Sequence, residues 1–251
     1  MSVKERQERI VSILEKEGYV TVKYLSDTLG YSTATVNRDL NALEQRQLVT
    51  RSHGGAELAQ PVYVPVFFRS HKMHAEKRNI GRAAAAFVED GDTIFIDGST
   101  TAQCMEQYLL RKKDLTVVTN NVALTAGLSA HGVRVVCLGG TVVEPPSMLG
   151  GQETVEFAAR HRVDKMFFAT SAVSSSGDVA SGIYDLMLRA IAKNAREIFY
   201  LVDHKKIDQP FTTSYCDLGA VDFVVSDYDF PKETKAAFPR TRFILAEKAE
   251  G

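Results

Sequence analysis

Apolar residues in the first part of the chain recur at helical spacing in short runs. The first run covers residues 7–16 and stops before Gly18. The second covers residues 22–29 and is followed by Gly30, a residue type that commonly ends helices. The pattern therefore predicts two helices that each turn one apolar side towards a shared core.

A third run begins after Ser32, a residue type that caps helices, and covers residues 33–45. Its apolar side consists of Val36, Leu40 and Leu43. Residues 48–51 then alternate like a strand, and residues 53–55 contain the two glycines of a turn. Three short helices closed by a small hairpin are predicted to form a winged helix-turn-helix.

The rest of the chain alternates between strand and helix patterns after an extended stretch with Pro61 and Pro65. Helices are predicted at residues 76–88, 102–110 and 186–195. Apolar runs predict strands at 93–97, 115–119, 133–138, 165–169, 198–203, 223–226 and 242–245. Because several of these runs are almost continuously apolar, we expect an open, mostly parallel α/β sheet that is covered on both faces.

Composition is that of an ordinary globular protein, since 45% of the 251 residues are hydrophobic, 24% are charged and the formal net charge is −1. The sequence has no apolar run long enough to span a bilayer and no signal peptide, so we expect a cytoplasmic protein. Its three cysteines are too few for a disulfide framework and too widely spaced for a zinc site. We predict neither a metal nor a cofactor.

The third predicted helix carries polar side chains opposite its apolar residues, with Arg38 at the centre of that side. Arginine pairs with guanine and asparagine with adenine in the major groove, and the hydroxyls and free amides of a helix start suit a phosphate. Polar outer faces also occur on surface helices that bind nothing, but the short helix before this one and the hairpin after it favour a DNA-binding helix. The predicted contacts on this helix are Ser32, Thr33, Thr35, Asn37, Arg38 and Asn41.

The first 57 residues contain eight Lys or Arg residues and eight Asp or Glu residues, so this region is formally neutral. Because non-specific affinity for DNA grows with the number of phosphates neutralised, one copy should bind weakly. Two or more copies on one operator would compensate for this, and we therefore predict a homo-oligomer, either a dimer or a tetramer.

Residues 97–101 follow a predicted strand directly, and their sequence is Asp97-Gly98-Ser99-Thr100-Thr101. Glycine lets a ligand come close to the backbone, and the hydroxyls and amides of a helix start suit an anion such as phosphate. Open α/β sheets also bind ligands at the carboxyl ends of their strands. A plain capped turn is the alternative, since serine and threonine are common helix caps.

The sequence STATVNRDL at residues 32–40, followed by LVTRSHGGA at residues 48–56, closely resembles the signature of the DeoR family of bacterial transcriptional regulators. In that family the third helix usually has the sequence S-x-x-T-[IV]-R-R-D-L, and the wing ends in H-G-G-A. This chain departs at Asn37, where the family usually has arginine, so one cation is missing from the DNA side. The resemblance implies further DNA contacts by Arg51 and His53 of the wing.

The resemblance extends over nearly the whole chain, because the sensor domains of the DeoR family are similar to ribose-5-phosphate isomerase, whose phosphate loop is also rich in Gly, Ser and Thr. Short landmarks match in order at residues 76–77, 97–101, 119–121, 138–140 and 203–206. The chain departs from the family over residues 172–185. The family usually has a Glu and a Lys on the helix that follows this segment, and Asp185 and Arg189 are candidates to replace them. The resemblance implies a ligand site formed by Lys77, Asp97, Gly98, Ser99, Thr100, Thr101, Asn120, Gly139, Asp185 and Lys206.

The predicted function is therefore that of a transcriptional regulator in three parts. Residues 1–57 bind double-stranded operator DNA, residues 58–75 form a linker, and residues 76–251 form the α/β domain that binds a small phosphorylated sugar. We expect a repressor of a carbohydrate-metabolism operon that the sugar phosphate relieves, with an activator as the alternative.

The rival class is an enzyme, a phosphosugar isomerase or deaminase, because the larger domain resembles one. Such an enzyme needs a positioned acid/base pair, and the dense carboxylate and lysine cluster of the isomerase is not recognisable in this sequence. A DNA-binding domain would also have no purpose in an enzyme. We therefore predict no catalytic residue.

Overall fold

In the computed structural model, the chain divides into two compact units, Met1–Lys72 and Met73–Gly251. The structure describes residues 2–17, 19–46, 48–52, 54–58, 74–144, 148–182 and 184–247. Pro61 and Pro65 of the predicted linker lie outside the described residues. Within the described ranges, no helix has both the length and the apolar character that a membrane span needs.

The first unit contains three helices and a three-stranded antiparallel sheet. The helices are α1 (Val3–Glu17), α2 (Val22–Leu29) and α3 (Thr33–Gln45). In the sheet, β3 (Gly55–Leu58) lies between β1 (Val20–Thr21) and β2 (Val49–Ser52). The helices and the hairpin confirm the sequence prediction. The sequence does not predict β1, because two residues are too few to produce an alternating pattern.

Helix α1 begins at Val3, four residues earlier than predicted. The Ser2 hydroxyl accepts a hydrogen bond from the N–H of Glu5 at 3.2 Å, and the Glu5 carboxylate accepts one from the N–H of Ser2 at 2.7 Å. This reciprocal pair is a capping box, which fixes the start of the helix. The apolar periodicity used for the prediction does not extend into this charged first turn, so the prediction was too short.

Helices α2 and α3 have their predicted bounds, and local signals account for them. Gly30 ends α2 with a φ of 72°, a left-handed conformation that glycine adopts without a steric penalty. Ser32 caps α3 by accepting a hydrogen bond from the N–H of Thr35 at 3.3 Å. The inward sides of the three helices meet in a core whose fully buried members include Ile10, Leu25, Val36, Leu40 and Leu43.

The second unit is built on a seven-stranded parallel sheet. All seven strands predicted from the sequence are present, with bounds within three residues of the prediction, and every neighbouring pair is parallel. The spatial order of the strands is β14 (Arg242–Leu245), β13 (Phe223–Ser226), β11 (Ala195–Val202), β9 (Val163–Phe168), β4 (Thr93–Ile96), β5 (Thr116–Thr119) and β6 (Arg134–Cys137).

Side chains of the central strands alternate between two apolar layers. Ile94 and Ile96 belong to one layer with Phe167, whereas Phe95 and Phe168 belong to the other. Because both faces of the sheet are buried, these strands have continuous apolar sequences. The first layer includes residues of α4 (His74–Ala85), α5 (Thr100–Gln103), α6 (Glu106–Leu109) and α7 (Val122–Ala130), and the second includes residues of α8 (Gln152–Ala158) and α9 (Asp185–Ala192).

Three features of the second unit differ from the sequence prediction. Two small antiparallel sheets were not predicted, since each strand has only three or four residues. The single helix predicted at 102–110 is instead α5 and α6, because Cys104 and Met105 donate to carbonyls three residues back and interrupt the α-helical pattern. The helix predicted at 76–88 is α4, which ends at Ala85. The additional elements are β7 (Thr141–Glu144) with β8 (Met148–Gly150), β10 (Asp178–Ala180) with β12 (Ser214–Asp217), and the helices α7, α8 and α10 (Lys232–Ala237).

The order of the strands creates a divergence between β4 and β9. From β4 the chain continues to β5 and β6 on one side of the sheet, and from β9 it continues to β11, β13 and β14 on the other. The connections that leave the carboxyl ends of β4 and β9 therefore run in opposite directions. Open α/β sheets bind ligands in the crevice at such a point, so the fold places a candidate ligand site there.

Candidate functional sites

Helix α3 presents a polar side to solvent. Arg38 lies on this side and makes no hydrogen bond or ion pair with any residue that the structure describes. Thr35 and Asn37, which flank the side, are half-buried. The residues predicted to face outward are all exposed, namely Ala34, Arg38, Asn41 and Gln45.

The start of α3 carries the hydroxyls that the sequence analysis assigned to a phosphate. The Ser32 and Thr35 hydroxyls lie 2.9 Å apart and hydrogen-bond to each other. Thr33 is exposed in the first helical turn. Because the N–H groups at a helix start attract anions, this turn can accept a DNA phosphate beside the exposed Arg38.

Arg51 of the wing is bonded to α3. Its guanidinium donates hydrogen bonds to the side-chain oxygens of both Asn37 and Asn41. Asn37 in turn donates from Nδ2 to the carbonyl oxygen of Thr33 at 2.9 Å. Arg51 thus joins two other predicted DNA contacts, Asn37 and Asn41, by hydrogen bonds. His53, the other predicted wing contact, lies outside the described residues.

Asp39 has a structural position that sequence reasoning missed. It is 2% exposed and pairs with the Arg6 guanidinium, whose Nε lies 2.5 Å from Oδ2 and whose second nitrogen lies 3.1 Å from Oδ1. Hydrogen bonding to Asp39 raises the pKa of Arg6, and the Arg6 guanidinium also lies 4.7 Å from the centre of the Tyr31 ring. The motif aspartate thus ties α3 to α1 and faces away from the DNA side.

In the second unit, Asp97 is the centre of the loop that leaves β4. Its Oδ1 accepts hydrogen bonds from the N–H of Ser99 at 3.1 Å and from the Ser99 hydroxyl, and its Oδ2 accepts one from the N–H of Ala169 at 3.2 Å. Burial raises the pKa of Asp97 to about 6, although these donors and the charge of Lys206 lower it. Asp97 therefore joins the loops after β4 and β9. Sequence reasoning missed Ala169, because a main-chain donor leaves no composition signal.

Lys77 on α4 and two orphaned polar atoms lie around the same loop. Lys77 is 4% exposed, and its Nζ donates to the Thr100 hydroxyl at 3.0 Å. The side-chain oxygens of Thr101 and Asn120 are buried and have no hydrogen-bond partner among the described residues. Both residues follow paired strands, since Ile96 of β4 lies opposite Thr119 of β5. The carboxyl ends of β4 and β5 thus combine a cation with unused polar groups.

Gly98 is in close contact with a second loop. A Cβ atom built at Gly98 would lie 2.3 Å from the terminal carbon of Met148, so a larger residue does not fit without a shift. Met148 begins β8 and is 4% exposed, and the neighbouring Leu149 accepts a hydrogen bond from Nδ2 of Asn120 at 3.0 Å. The small β7–β8 sheet therefore packs over the ends of β4 and β5.

The remaining predicted ligand residues are distributed more widely. Lys206 lies 4.0 Å from the buried Asp203 and attracts the charge of Asp97. Gly139 is exposed, and its carbonyl oxygen accepts a hydrogen bond from Thr154 at 2.6 Å. Asp185 accepts hydrogen bonds from Ser181 and Gly182 at the start of α9, and in the described residues no hydrogen bond joins it to the Asp97 loop. Arg189, its expected companion, donates to the carbonyl oxygen of Tyr215.

Comparison with known proteins assigns both parts of the chain to one family. The family model of the DeoR C-terminal sensor domain matches residues 72–228, and that of the DeoR-like helix-turn-helix domain matches residues 6–62. The chain belongs to the DeoR family. The resemblance inferred from its motifs is therefore confirmed.

Two curated relatives of this DeoR-family chain match over most of its length. It is 30% identical over 231 residues to the glycerol-3-phosphate regulon repressor of Escherichia coli (strain K12), with 90% of this chain and 92% of that repressor covered. It is 30% identical over 237 residues to the lactose phosphotransferase system repressor of Staphylococcus aureus (strain N315), with 91% and 94% covered. Among solved structures, ribose 5 phosphate isomerase A from Neisseria gonorrhoeae has a TM-score of 0.38 and 14% identity, covering 52% of each chain.

Proposed function

We propose that this DeoR-family regulator is a cytoplasmic, homo-oligomeric repressor of a carbohydrate-metabolism operon. Residues 1–57 bind operator DNA, residues 58–75 form the linker, and residues 76–251 bind a phosphorylated sugar that weakens the hold on DNA. The names of the two relatives support a repressor of this class, and one of them refers to a phosphorylated three-carbon compound.

The observation that carries the ligand half of this proposal is the pair of buried oxygens on Thr101 and Asn120, which have no hydrogen-bond partner within the part of the chain that the structure describes. A buried polar group without a hydrogen bond costs about 1–3 kcal/mol, so such groups usually have a bound partner when the protein functions. Lys77 supplies a positive charge at the same strand ends, which suits a phosphate. The buried carboxylate of Asp97 can accept hydrogen bonds from sugar hydroxyls.

The ligand half can be tested by calorimetric titration with inorganic phosphate and with a panel of sugar phosphates. We expect Lys77→Gln to weaken binding about tenfold or more, since a hydrogen bond to a charged group contributes about 1.5–3 kcal/mol. Lys193→Gln, which removes an exposed lysine after α9, is the matched control and should bind as the wild type does. Equal affinities for Lys77→Gln and the control would show that the anion does not bind at this site.

The DNA half rests on the exposed Arg38 at the centre of the polar side of α3. A duplex selected from a randomised library by the wild-type protein serves as the probe. We expect Arg38→Ala to lose about 1–3 kcal/mol of binding free energy and to relax the preference at one base pair. Arg9→Ala removes an exposed cation from α1 and should leave the base preference unchanged. An unchanged preference in Arg38→Ala would place base recognition on another surface.

One observation favours an enzyme as a second candidate. The pKa of Asp97, at about 6, is close to the value that suits a general base near neutral pH. However, each of its oxygens already accepts at least one hydrogen bond from the protein, which holds the carboxylate in place. We expect no aldose–ketose interconversion when the protein is incubated with pentose and hexose phosphates, and turnover that Asp97→Asn abolishes would establish the enzyme instead.

A further inference from the structure

The hydrogen bonds of Arg51 determine which groups of α3 can face a base pair. We call the residues Asn37, Asn41 and Arg51 the Arg51 cluster. The guanidinium bridges the two asparagine side chains, and the N–H of Arg51 donates to the Glu44 carboxylate at 3.3 Å. Strand β2 is therefore attached to α3 at three positions, separated by four and then three residues, which lie along one side of a helix.

The chemistry of guanidinium fixes the orientation of both amides. Arginine carries only hydrogen-bond donors, so the group of each asparagine that faces it must be the oxygen. The nitrogen of Asn37 is bonded to the Thr33 carbonyl, so both ends of this side chain are engaged within the protein. The oxygen of Asn41 is engaged in the same way, whereas its nitrogen makes no hydrogen bond to the residues that the structure describes.

Asparagine recognises adenine through both ends of its amide, by accepting from N6 and donating to N7. An Asn41 whose oxygen is turned back to Arg51 can only donate. We infer that the Arg51 cluster sets the base specificity of this protein. Asn37 and Arg51 act as positioning residues that hold Asn41 as a donor. Asn41 can then contact an acceptor such as guanine O6 or N7, thymine O4 or adenine N7, but it loses the two-point contact by which a free asparagine prefers adenine. This inference rests on the proposed binding of operator DNA by α3.

An Arg51 that positions Asn41 and an Arg51 that contacts a phosphate differ in what the loss of Arg51 does to DNA binding. If Arg51 bound a phosphate, its loss would weaken binding to all sequences alike. It would also reduce the slope of log affinity against log salt concentration by about one. If Arg51 positions Asn41, its loss changes the preference at one base pair and leaves the slope unchanged. The two variants Arg51→Met and Arg51→Lys separate these effects, since lysine keeps the charge but cannot bridge two oxygens in a planar fork.

The test is selection of duplexes from a randomised library by full-length wild type and variants, followed by salt titration on the selected duplex. We expect both Arg51→Met and Arg51→Lys to shift the preference at one base pair by roughly fivefold or more towards adenine. In an Asn41→Ala background, the same Arg51 substitutions should leave that base pair unchanged. Arg9→Met is the charge-matched control, and thermal melting confirms that each variant is folded.

Three results would overturn the inference. They are a sequence-independent loss of affinity in Arg51→Met with a lower salt slope, wild-type behaviour of Arg51→Lys, or an unchanged preference in both variants. If Arg51→Met proves unfolded, the preference of Arg51→Lys decides alone. A folded wild-type protein that enriches no duplex would instead refute the proposed DNA binding, and this inference with it.

Discussion

Replacing Asp97 with asparagine should change how the stability of the second unit depends on pH. Burial raises the pKa of Asp97 from 3.8 to about 6, and this effect exceeds the opposing effects of its hydrogen bonds and of Lys206. A raised pKa means that the folded state binds the proton more tightly than the unfolded state does. The group therefore stabilises the fold fully at acidic pH, and this contribution is lost as the pH rises from about 4 through about 6.

The difference between the two pKa values corresponds to about 3 kcal/mol in full, because each unit is worth about 1.4 kcal/mol. About 2 kcal/mol of this stabilisation is lost as the pH rises from about 4 to about 7. Asparagine does not titrate, so Asp97→Asn lacks this loss. Any fixed penalty of the amide, which cannot accept at both positions, is the same at every pH and cancels when the pH profiles are compared.

The assay is urea unfolding of wild type and Asp97→Asn, followed by far-ultraviolet circular dichroism at several pH values. The free energy of unfolding of the variant should rise relative to that of the wild type by about 2 kcal/mol between about pH 4 and about pH 7. A constant difference would show that the pKa of Asp97 is not raised by folding. A change in the opposite direction would show that the donors from Ser99 and Ala169 outweigh burial.

Three further outcomes follow from other parts of the molecule. Asp39→Ala should destabilise the first unit by about 3–5 kcal/mol in chemical unfolding, because it leaves the Arg6 charge buried without its partner, and a loss below about 1 kcal/mol would contradict this. Gly98→Ala should abolish sugar phosphate binding in calorimetry by displacing Met148, and adding Met148→Ala should restore it. Full binding by Gly98→Ala alone would show that the Met148 side chain moves aside without affecting the site. Light scattering should give the mass of a dimer or tetramer at micromolar concentration, whereas a monomer that still binds its duplex tightly would refute the argument from the neutral charge of residues 1–57.

Features coded by neighbouring residues could be predicted from the sequence. Gly30 and Ser32 mark the ends of α2 and α3, and the apolar runs of the seven parallel strands place them within three residues of their observed bounds. The start of α1 depends on a capping box between Ser2 and Glu5, a signal that is also present in the sequence and was overlooked. The loop at Asp97 could be proposed as a ligand site because its polar residues, 97–101, are contiguous in the sequence.

Features that depend on residues distant in sequence could not be predicted. Asp39 pairs with Arg6 across 33 positions, and the N–H of Ala169 reaches Asp97 across 72. The outward side of α3 was predicted correctly, but its periodicity contains no information that Arg51 would hold Asn37 and Asn41. Residue type and spacing therefore located the polar surfaces, whereas the hydrogen-bond partners within them required the tertiary structure.

In the function proposed above, the polar side of α3 is coupled to the proposed anion site at the ends of β4 and β5. The most direct test is fluorescence anisotropy of the selected duplex with the full-length protein, in the presence and absence of each sugar phosphate. We expect one sugar phosphate to weaken binding about five- to 150-fold, and the duplex to weaken binding of that sugar phosphate by the same factor, since coupling between sites is reciprocal. The unphosphorylated sugar should have little effect. An equal effect of the unphosphorylated sugar would show that the phosphate is not what is sensed, and no effect of any sugar phosphate that binds would show that the two sites are not coupled.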